Sequence, residues 1–349
     1  MANNTDNDAL TAKVRAMYGR CLSQQNYREL IHKQTVSEVA AYLKQQTDYA
    51  ALLRDVNESL VHRGKLEELL RGNLFDDYLS IFHFVGQQEK AFYRFFIMRL
   101  EMNEVLTCVR LIVADRAGEY VFGLPSFFAK HASFDLYELA KVKDYDGLLR
   151  LLKPTPYGEV LRKYNPAEGG KIDAVRLEIE FSGMYFSRIL KTIDKTFDGE
   201  TERDVHESFG MQIDLSNMID IIRLKRYYNA KSDYIRTLLL PFFFKVKRPE
   251  LDEMMDAPDA AAAWKIAEGT YYGRSFRKYN FEIVDQYEQQ LLYSFHKHLF
   301  ITSVSTPVVV TAYLKLKEFE IQNIIHVIEG IRYGLAPVEI GKLLVGVSA

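Results

Sequence analysis

The segment 194–199 is the stretch of this 349-residue sequence that comes nearest to a metal-binding motif. Its Asp-Lys-Thr-Phe-Asp-Gly order places oxygen donors at positions 1, 3 and 5 and a glycine at position 6, as in a calcium-binding loop. Position 12, where such loops have a glutamate that binds the ion through both oxygens, is Val205. Because most of the calcium affinity is lost without that ligand, the sequence predicts a turn between helices here and no metal site.

Other patterns that could support catalysis or cofactor binding are also incomplete. The Gly-Gly-Lys run at 169–171 lacks the first glycine and the hydroxyl of a phosphate-binding loop and predicts a turn. His296 and His298 are two residues apart, so on a helix their side chains diverge, and a solvated face explains them better than a metal site. The sequence contains no His-Glu-x-x-His, Cys-x-x-Cys or Gly-x-Ser-x-Gly motif. The sequence therefore predicts no Walker-type ATP binding and no cofactor.

The composition is that of a folded protein, with 48% hydrophobic and 26% charged residues. Lys and Arg total 45 against 47 Asp and Glu, and the resulting net charge of −2 argues against a nucleic-acid partner. Cys21 and Cys108 lie in apolar context far from any metal-ligand spacing, which predicts reduced, buried thiols in a cytosolic protein. The apolar run 238–244 is short and contains Pro241, so we expect a buried helix end or turn. No stretch approaches the roughly 18 apolar residues that cross a bilayer, so membrane association is expected only through a partner.

Helical patterns dominate the chain. Thr35 and Glu38 have the spacing of a capping box at the start of a helix. Near the C-terminus, Ser-Thr-Pro at 305–307 predicts a helix start, Gly334 its end, and Pro337 the start of a last short helix. The first of these helices, from about residue 307 to 333, would be roughly 40 Å long at ~1.5 Å per residue. Its isoleucines recur at the spacing of one buried stripe: Ile321, Ile324, Ile325, Ile328 and Ile331. Because two-residue alternation is scarce, the sequence predicts an all-α fold.

Two markers recur three times along the chain, about 110 residues apart. The first is a Thr-x-Tyr triplet, which ends at Tyr49, Tyr157 and Tyr272. The second is an acidic residue followed one helical turn later by another polar residue and then by two apolar ones. The acids are Glu101, Asp214 and Glu320. A period of this length matches a whole small domain and not a short solenoid repeat.

We therefore predict three related helical lobes, at residues 9–116, 117–235 and 236–349. Three like lobes of one chain can close around an axis as three protomers do, which gives a pseudo-threefold, funnel-like arrangement.

The repeated residues allow two interpretations. The three tyrosines could line a socket for a partner, because tyrosine offers a large contact area and a polar tip. They could instead pack between helices within each lobe with the hydroxyl bonded locally. Recurrence in all three lobes favours the second interpretation, since a single asymmetric partner cannot touch three equivalent sites alike. Asn217 and Asn323 lie at the edges of apolar stripes, where an amide can bridge helices or bond a partner.

The segment 313–325 resembles the C-terminal signature of the C/d subunit family of V/A-type (vacuolar and archaeal) rotary ATPases. Residues 317–323 match the Lys-Glu-x-Glu-x-x-Asn core of that family, and a Gly-Leu pair at 334–335 and a Glu-Ile pair at 339–340 follow. The segments 15–22 and 43–49 are similar to the first repeat of the family, and 214–225 is similar to the second. The similarity covers nearly the full chain.

The resemblance implies a non-catalytic, cytoplasmic coupling protein, peripheral on the cytoplasmic face of the membrane as part of a complex. In the family, the cavity of the funnel receives the central-stalk shaft and its base sits on the membrane proteolipid ring. Torque for ATP-driven ion or proton transport, or for ATP synthesis, passes through this part of the complex. The candidate partner-interface residues are Glu318, Glu320, Asn323, Asp214, Asn217, Glu101, Tyr49, Tyr157 and Tyr272.

Two other classes of function remain open. A generic all-helical scaffold or adaptor would show lobes stacked in a row. An α-helical hydrolase with dispersed active residues would show a deep pocket with converging carboxylates and histidines.

Overall fold

The computed structural model describes residues 2–165, 170–277 and 284–347, and within these ranges every regular element is helical. The prediction of an all-α fold is confirmed. The chain divides into two compact units, one formed by Met1–Gly86 together with Arg274–Ala349 and the other by Gln87–Gly273. The short helix at Gly273–Phe276 spans the change from the second unit to the first.

The first unit is built around one long helix, Thr306–Arg332, which we call α17. Twenty of its 27 residues are buried, so it is enclosed on nearly all sides, as a helix in the centre of a core is. The other helices of this unit are α1 (Ala2–Tyr18), α2 (Gln24–Leu30), α3 (Val36–Gln46), α4 (Arg63–Phe82), α16 (Val284–Thr302) and α18 (Pro337–Leu343), with a 3₁₀ turn at Asp48–Ala50. Helices α1, α3, α4, α16 and α18 all pack against α17.

The limits of α17 agree with the sequence. Ser305 occupies the N-cap position, Pro307 lies in the first turn, and Gly334 follows the helix with a φ of 69°, a left-handed conformation that favours glycine. Pro337 begins α18, as predicted. Thr35 caps α3, since its hydroxyl accepts the N–H of Glu38 at 3.1 Å, but the Glu38 carboxylate reaches the amide of Gln34, one residue before the cap.

The second unit contains three long helices, α6 (Phe95–Val113), α10 (Ala174–Thr196) and α11 (Gly199–Tyr228). Helix α10 packs against both α6 and α11. The short helices α13 (Arg248–Asp256) and α14 (Ala260–Ala267) pack on α11 and on each other. The shorter helices are α5 (Lys90–Tyr93), α7 (Leu136–Leu139), α8 (Tyr145–Leu152), α9 (Pro156–Lys163), α12 (Ser232–Arg236), α13 (Arg248–Asp256) and α14 (Ala260–Ala267), with 3₁₀ segments at Ala117–Gly123 and Ser126–His131. The helix α15 (Gly273–Phe276) begins at the last residue of this unit and continues into the first.

Four expectations about local sequence have different outcomes. The segment 194–199 forms the end of α10 and the turn into α11, as predicted. Cys108 is a buried free thiol, whereas Cys21 is only half-buried. The apolar run 238–244 forms turns and bends and not a helix end, so the turn is the alternative that is found, but the run is only partly buried because Phe243 and Phe244 are exposed. The Gly-Gly-Lys run begins at residue 169, outside the described residues.

Among the described residues, no helix has both the length and the apolar character needed to span a membrane. The three lobes predicted at 9–116, 117–235 and 236–349, and their funnel-like arrangement, stay a prediction.

His326 makes the first unit sensitive to acid. It lies on α17, where burial lowers the pKa of its imidazole, while a hydrogen bond with the Leu343 backbone and the charge of Glu329 oppose that shift. The folded protein therefore holds His326 neutral at pH values where the unfolded chain already binds a proton. Stability is full above the unfolded pKa of about 6.5 and falls as the pH drops through that value.

We expect the free energy of unfolding to decrease between pH 7 and pH 5, and His326→Gln to reduce that decrease. Urea denaturation at a series of pH values measures the free energy of unfolding of the parent and the variant. His298→Gln, at an exposed histidine, is the control. Equal pH dependence in the His326 variant and the parent would show that His326 does not cause the effect.

Candidate functional site

The first acidic marker, Glu101, lies within α6 and is buried, with 4% of its surface exposed. The Tyr157 hydroxyl lies 2.8 Å from one carboxylate oxygen and 3.0 Å from the carbonyl oxygen of Met98. The other oxygen accepts the backbone N–H of Ser133. Burial and the neighbouring carboxylate raise the pKa of the Tyr157 hydroxyl, so it stays protonated and able to donate.

The second acidic marker, Asp214, lies within α11 and has no exposed surface. Its oxygens accept three consecutive backbone N–H groups, from Phe244 at 3.0 Å, Lys245 at 2.7 Å and Val246 at 3.0 Å. The Tyr272 hydroxyl donates to the same carboxylate at 3.2 Å. Desolvation raises the pKa of Asp214, and these four hydrogen bonds oppose the shift because they stabilise the charged form.

The third acidic marker, Glu320, lies within α17 and is 5% exposed. It accepts the Tyr49 hydroxyl at 2.7 Å and the backbone N–H of Leu22 at 2.5 Å. A buried cation is added here, since Lys317 Nζ lies 2.6 Å from the same carboxylate and 2.9 Å from the Tyr49 oxygen. Desolvation lowers the pKa of Lys317, but the Glu320 charge and hydrogen bond, together with the neighbouring Cys21 and Tyr313, outweigh it and the net shift is upward.

The three sites share one plan, which we call the acid–tyrosine unit: a buried helical carboxylate, a bound backbone amide, and the tyrosine of a Thr-x-Tyr triplet. After the bound amide, the chain forms two short helices and then the triplet, in the order α7–α8, α13–α14 and α2–α3. The triplet threonine ends the second short helix, because its hydroxyl donates to a carbonyl of that helix in each case. These bonds are Thr155 to Leu152, Thr270 to Ala267 and Thr47 to Leu43.

Each acid pairs with the tyrosine of the next triplet along the chain. Glu101 binds Tyr157, Asp214 binds Tyr272, and Glu320 near the C-terminus binds Tyr49 near the N-terminus. Every pair therefore joins two of the segments 9–116, 117–235 and 236–349. An acid–tyrosine unit begins at an acid-bearing helix and ends at the following tyrosine, and the third one is completed by the first fifty or so residues of the chain.

The polar residue three positions after each acid also binds within the chain. Asn217 accepts the N–H of Leu240 at 2.8 Å and donates to its carbonyl at 3.1 Å. Asn323 binds both backbone groups of Val345 in the same way, each at 2.8 Å. In the first acid–tyrosine unit the residue is Glu104, which accepts the Tyr120 hydroxyl at 2.7 Å. These side chains hold the connection that follows the long helix.

Eight of the nine candidate interface residues are thus buried and bonded within the chain, in three separate places. The tyrosines are packed internally with their hydroxyls bonded, as in the second interpretation, but each hydroxyl binds an acid of another predicted segment and not one within its own lobe. Glu318 differs, because its side chain retains 24% exposure and lies 3.2 Å from Lys315. The candidates do not converge on one pocket.

Sequence reasoning missed Lys317 and the glycines after two of the tyrosines. In the other two acid–tyrosine units, the position three residues before the acid is occupied by Met98 and Met211. A lysine at this position in the third unit was the signal that the sequence offered. Gly158 follows Tyr157, and a Cβ there would lie 2.2 Å from the Leu152 carbonyl oxygen. Gly273 follows Tyr272, and its Cβ would lie 2.0 Å from the Glu268 carbonyl oxygen.

These observations define a helical protein whose repeated polar residues hold its own backbone in place. A family model for the ATP synthase (C/AC39) subunit matches residues 10–343. The chain is 24% identical over 344 residues to the C subunit of the A-type ATP synthase of Desulfurococcus sp. (strain SY), covering 95% of this chain and 88% of that protein. It is 25% identical over 346 residues to the C subunit of the A-type ATP synthase of Thermococcus kodakarensis, covering 96% and 89%.

The chain belongs to the ATP synthase (C/AC39) subunit family, as the resemblance at residues 313–325 indicated. It is a subunit of a rotary ATPase and not a catalytic one.

Breaking the buried ion pair of the third acid–tyrosine unit should be costly. Glu320→Gln leaves Lys317 charged and buried without its carboxylate, so we expect a loss of about 3–5 kcal/mol in the free energy of unfolding. Adding Lys317→Met, the residue of the other two copies, should restore much of that loss. Urea denaturation measures both variants, and the half-buried Glu318→Gln serves as the control. If Glu320→Gln lost no more stability than Glu318→Gln, the result would contradict the claim that Glu320 stabilises the buried charge of Lys317.

Gly158 should not tolerate a side chain. We expect Gly158→Ala to destabilise the second compact unit by roughly 1–3 kcal/mol, because the added carbon meets rigid backbone. Gly183→Ala, in the interior of α10 with nothing within 4 Å of the new carbon, should instead stabilise it by about 0.5–1 kcal/mol. Thermal unfolding of the two variants compares them. The same sign of change in both would contradict the close approach at Gly158.

Proposed function

We propose that this chain is the coupling subunit that links the central-stalk shaft of a V/A-type rotary ATPase to its membrane proteolipid ring. The observation that carries the proposal is the family match over residues 10–343. The A-type ATP synthase relatives are covered over most of their own length, which supports the same role for the whole chain.

The internal construction suits a part that transmits torque. Such a part needs a body that does not yield, and close-packed helices with hydrogen-bonded buried carboxylates give low compressibility and a single arrangement. The acid–tyrosine units supply this by fixing the connections after α6, α11 and α17 to the helices themselves. The recurrence of the unit also supports three related lobes, with the shaft received in the funnel that the resemblance implies.

We place the protein at the cytoplasmic face of the membrane, held there by its partners. The lack of a membrane-spanning helix among the described residues agrees with attachment through the ring. Docking to the shaft and ring would then depend on side chains that retain exposed surface.

Glu318 is the candidate residue best suited to a partner, because it is partly exposed and belongs to the segment most similar to the family signature. We expect Glu318→Lys to weaken binding to the shaft by ~1–3 kcal/mol with little change in stability, because charge reversal at an interface affects association. Glu320→Lys should instead unfold the first compact unit, since it would place two cations together in the core. Binding and thermal unfolding measured on the same samples separate these effects, and unchanged binding in Glu318→Lys would remove it from the interface.

Co-purification from membranes of the source cells tests the function itself. The tagged chain should recover ATPase shaft and ring proteins, and the recovery should decrease as salt screens the interface charges. Recovery of unrelated proteins without any part of the ATPase would favour the scaffold alternative and contradict the proposal.

A further inference from the structure

A cluster of possible metal ligands lies where α10 meets α11 in the second compact unit. Asp194, Glu202 and His206 each direct a ligand atom to one place, with all of these atoms within 4.8 Å of one another. The His206 Nε2 lies 2.6 Å from Asp194 Oδ1. Asp194 belongs to the last turn of α10, and the other two residues belong to the first turns of α11.

The local sequence brings these groups together. Glu202 and His206 are four residues apart, so they lie on the same face of α11 one turn from each other. Only residues 197 and 198 separate the two helices, and Gly199 takes a φ of 58°, which lets the chain reverse within this short connection. The reversal sets Asp194 beside that face.

The charges of the cluster favour a cation. Across the described ranges, neither Asp194 nor Glu202 forms an ion pair with a lysine or arginine, and the contact to Asp194 comes from a histidine. The cluster therefore brings two carboxylates and one imidazole together. One nitrogen and two oxygen ligands suit a borderline divalent ion such as Zn²⁺, which accepts three protein ligands and completes its shell with water.

We propose that Asp194, Glu202 and His206 form a zinc-class divalent metal site that fastens the C-terminal end of α10 to the start of α11. This site differs from the calcium loop that the spacing of residues 194–199 suggested, because it uses the first residue of that segment and two side chains beyond its glycine. It is independent of the coupling role. The bound ion replaces the contact between Asp194 and His206 and cross-links the two helices.

Isothermal titration of the EDTA-treated, full-length protein with ZnCl₂ tests the proposal. We expect one ion per chain with a micromolar dissociation constant, and a rise in the unfolding temperature of the second compact unit at saturation. His206→Gln and Glu202→Gln should each weaken binding at least tenfold. The matched controls are His298→Gln, at an exposed histidine on another helix, and Glu200→Gln, at an exposed glutamate in the same turn as Glu202. Both controls should bind as the parent does.

Three results would overturn the site. The first is the lack of saturable binding at Zn²⁺ concentrations up to about 100-fold above the expected micromolar dissociation constant. The second is binding that His206→Gln and Glu202→Gln leave unchanged, which would place the ion elsewhere. The third is Ca²⁺ or Mg²⁺ binding as tight as that of Zn²⁺, since those ions select oxygen ligands and would not need the imidazole. Co²⁺ substitution gives a visible absorption spectrum that should be lost in the His206 variant.

Discussion

A carboxylate in the middle of a buried helix is costly unless other parts of the chain bring hydrogen bonds to it. The helix cannot supply them, because its own backbone groups are already paired. In this protein, three long helices each carry such a carboxylate, and each carboxylate binds an amide from an irregular connection and a hydroxyl from a distant tyrosine. The positions of the connections and of the short helices that follow them depend on meeting this requirement.

The three acid–tyrosine units supply these hydrogen bonds with different donors. Glu101 receives one amide and one tyrosine, Asp214 receives three amides and one tyrosine, and Glu320 adds a buried lysine. The shorter aspartate accepts consecutive amides of the segment 244–246, which holds a part of the apolar run 238–244 outside any helix. Phe244 then lies over Gly210, where an added Cβ would be 2.4 Å from the ring. The backbone of the run is bound to Asp214 and Asn217, and Leu240 is buried while Phe243 and Phe244 are exposed.

Much of the fold follows from local sequence. The start and end of α17, the start of α18 and the threonine cap of α3 were predicted, because each depends on a residue that favours a helix end. The turn at 197–198 was predicted from the incomplete calcium loop. The repeated tyrosines and acids were also identified, but not how they pair. Their pairing joins residues up to 271 positions apart, and periodicity carries no information about such contacts. The same limit hid Lys317, whose charge has meaning only beside Glu320, and the metal cluster, whose histidine lies beyond the motif that drew attention to Asp194.

Hydrogen exchange of three backbone amides tests the central claim most directly. The amides of Leu22, Ser133 and Val246 lie outside helices, and the carboxylates of Glu320, Glu101 and Asp214 accept their hydrogens. If these carboxylates hold the connections in place, the three amides should exchange as slowly as amides in the centres of α6, α11 and α17, since both then open only with the compact unit that contains them. Exchange as fast as that of other amides in the same connections would contradict the claim.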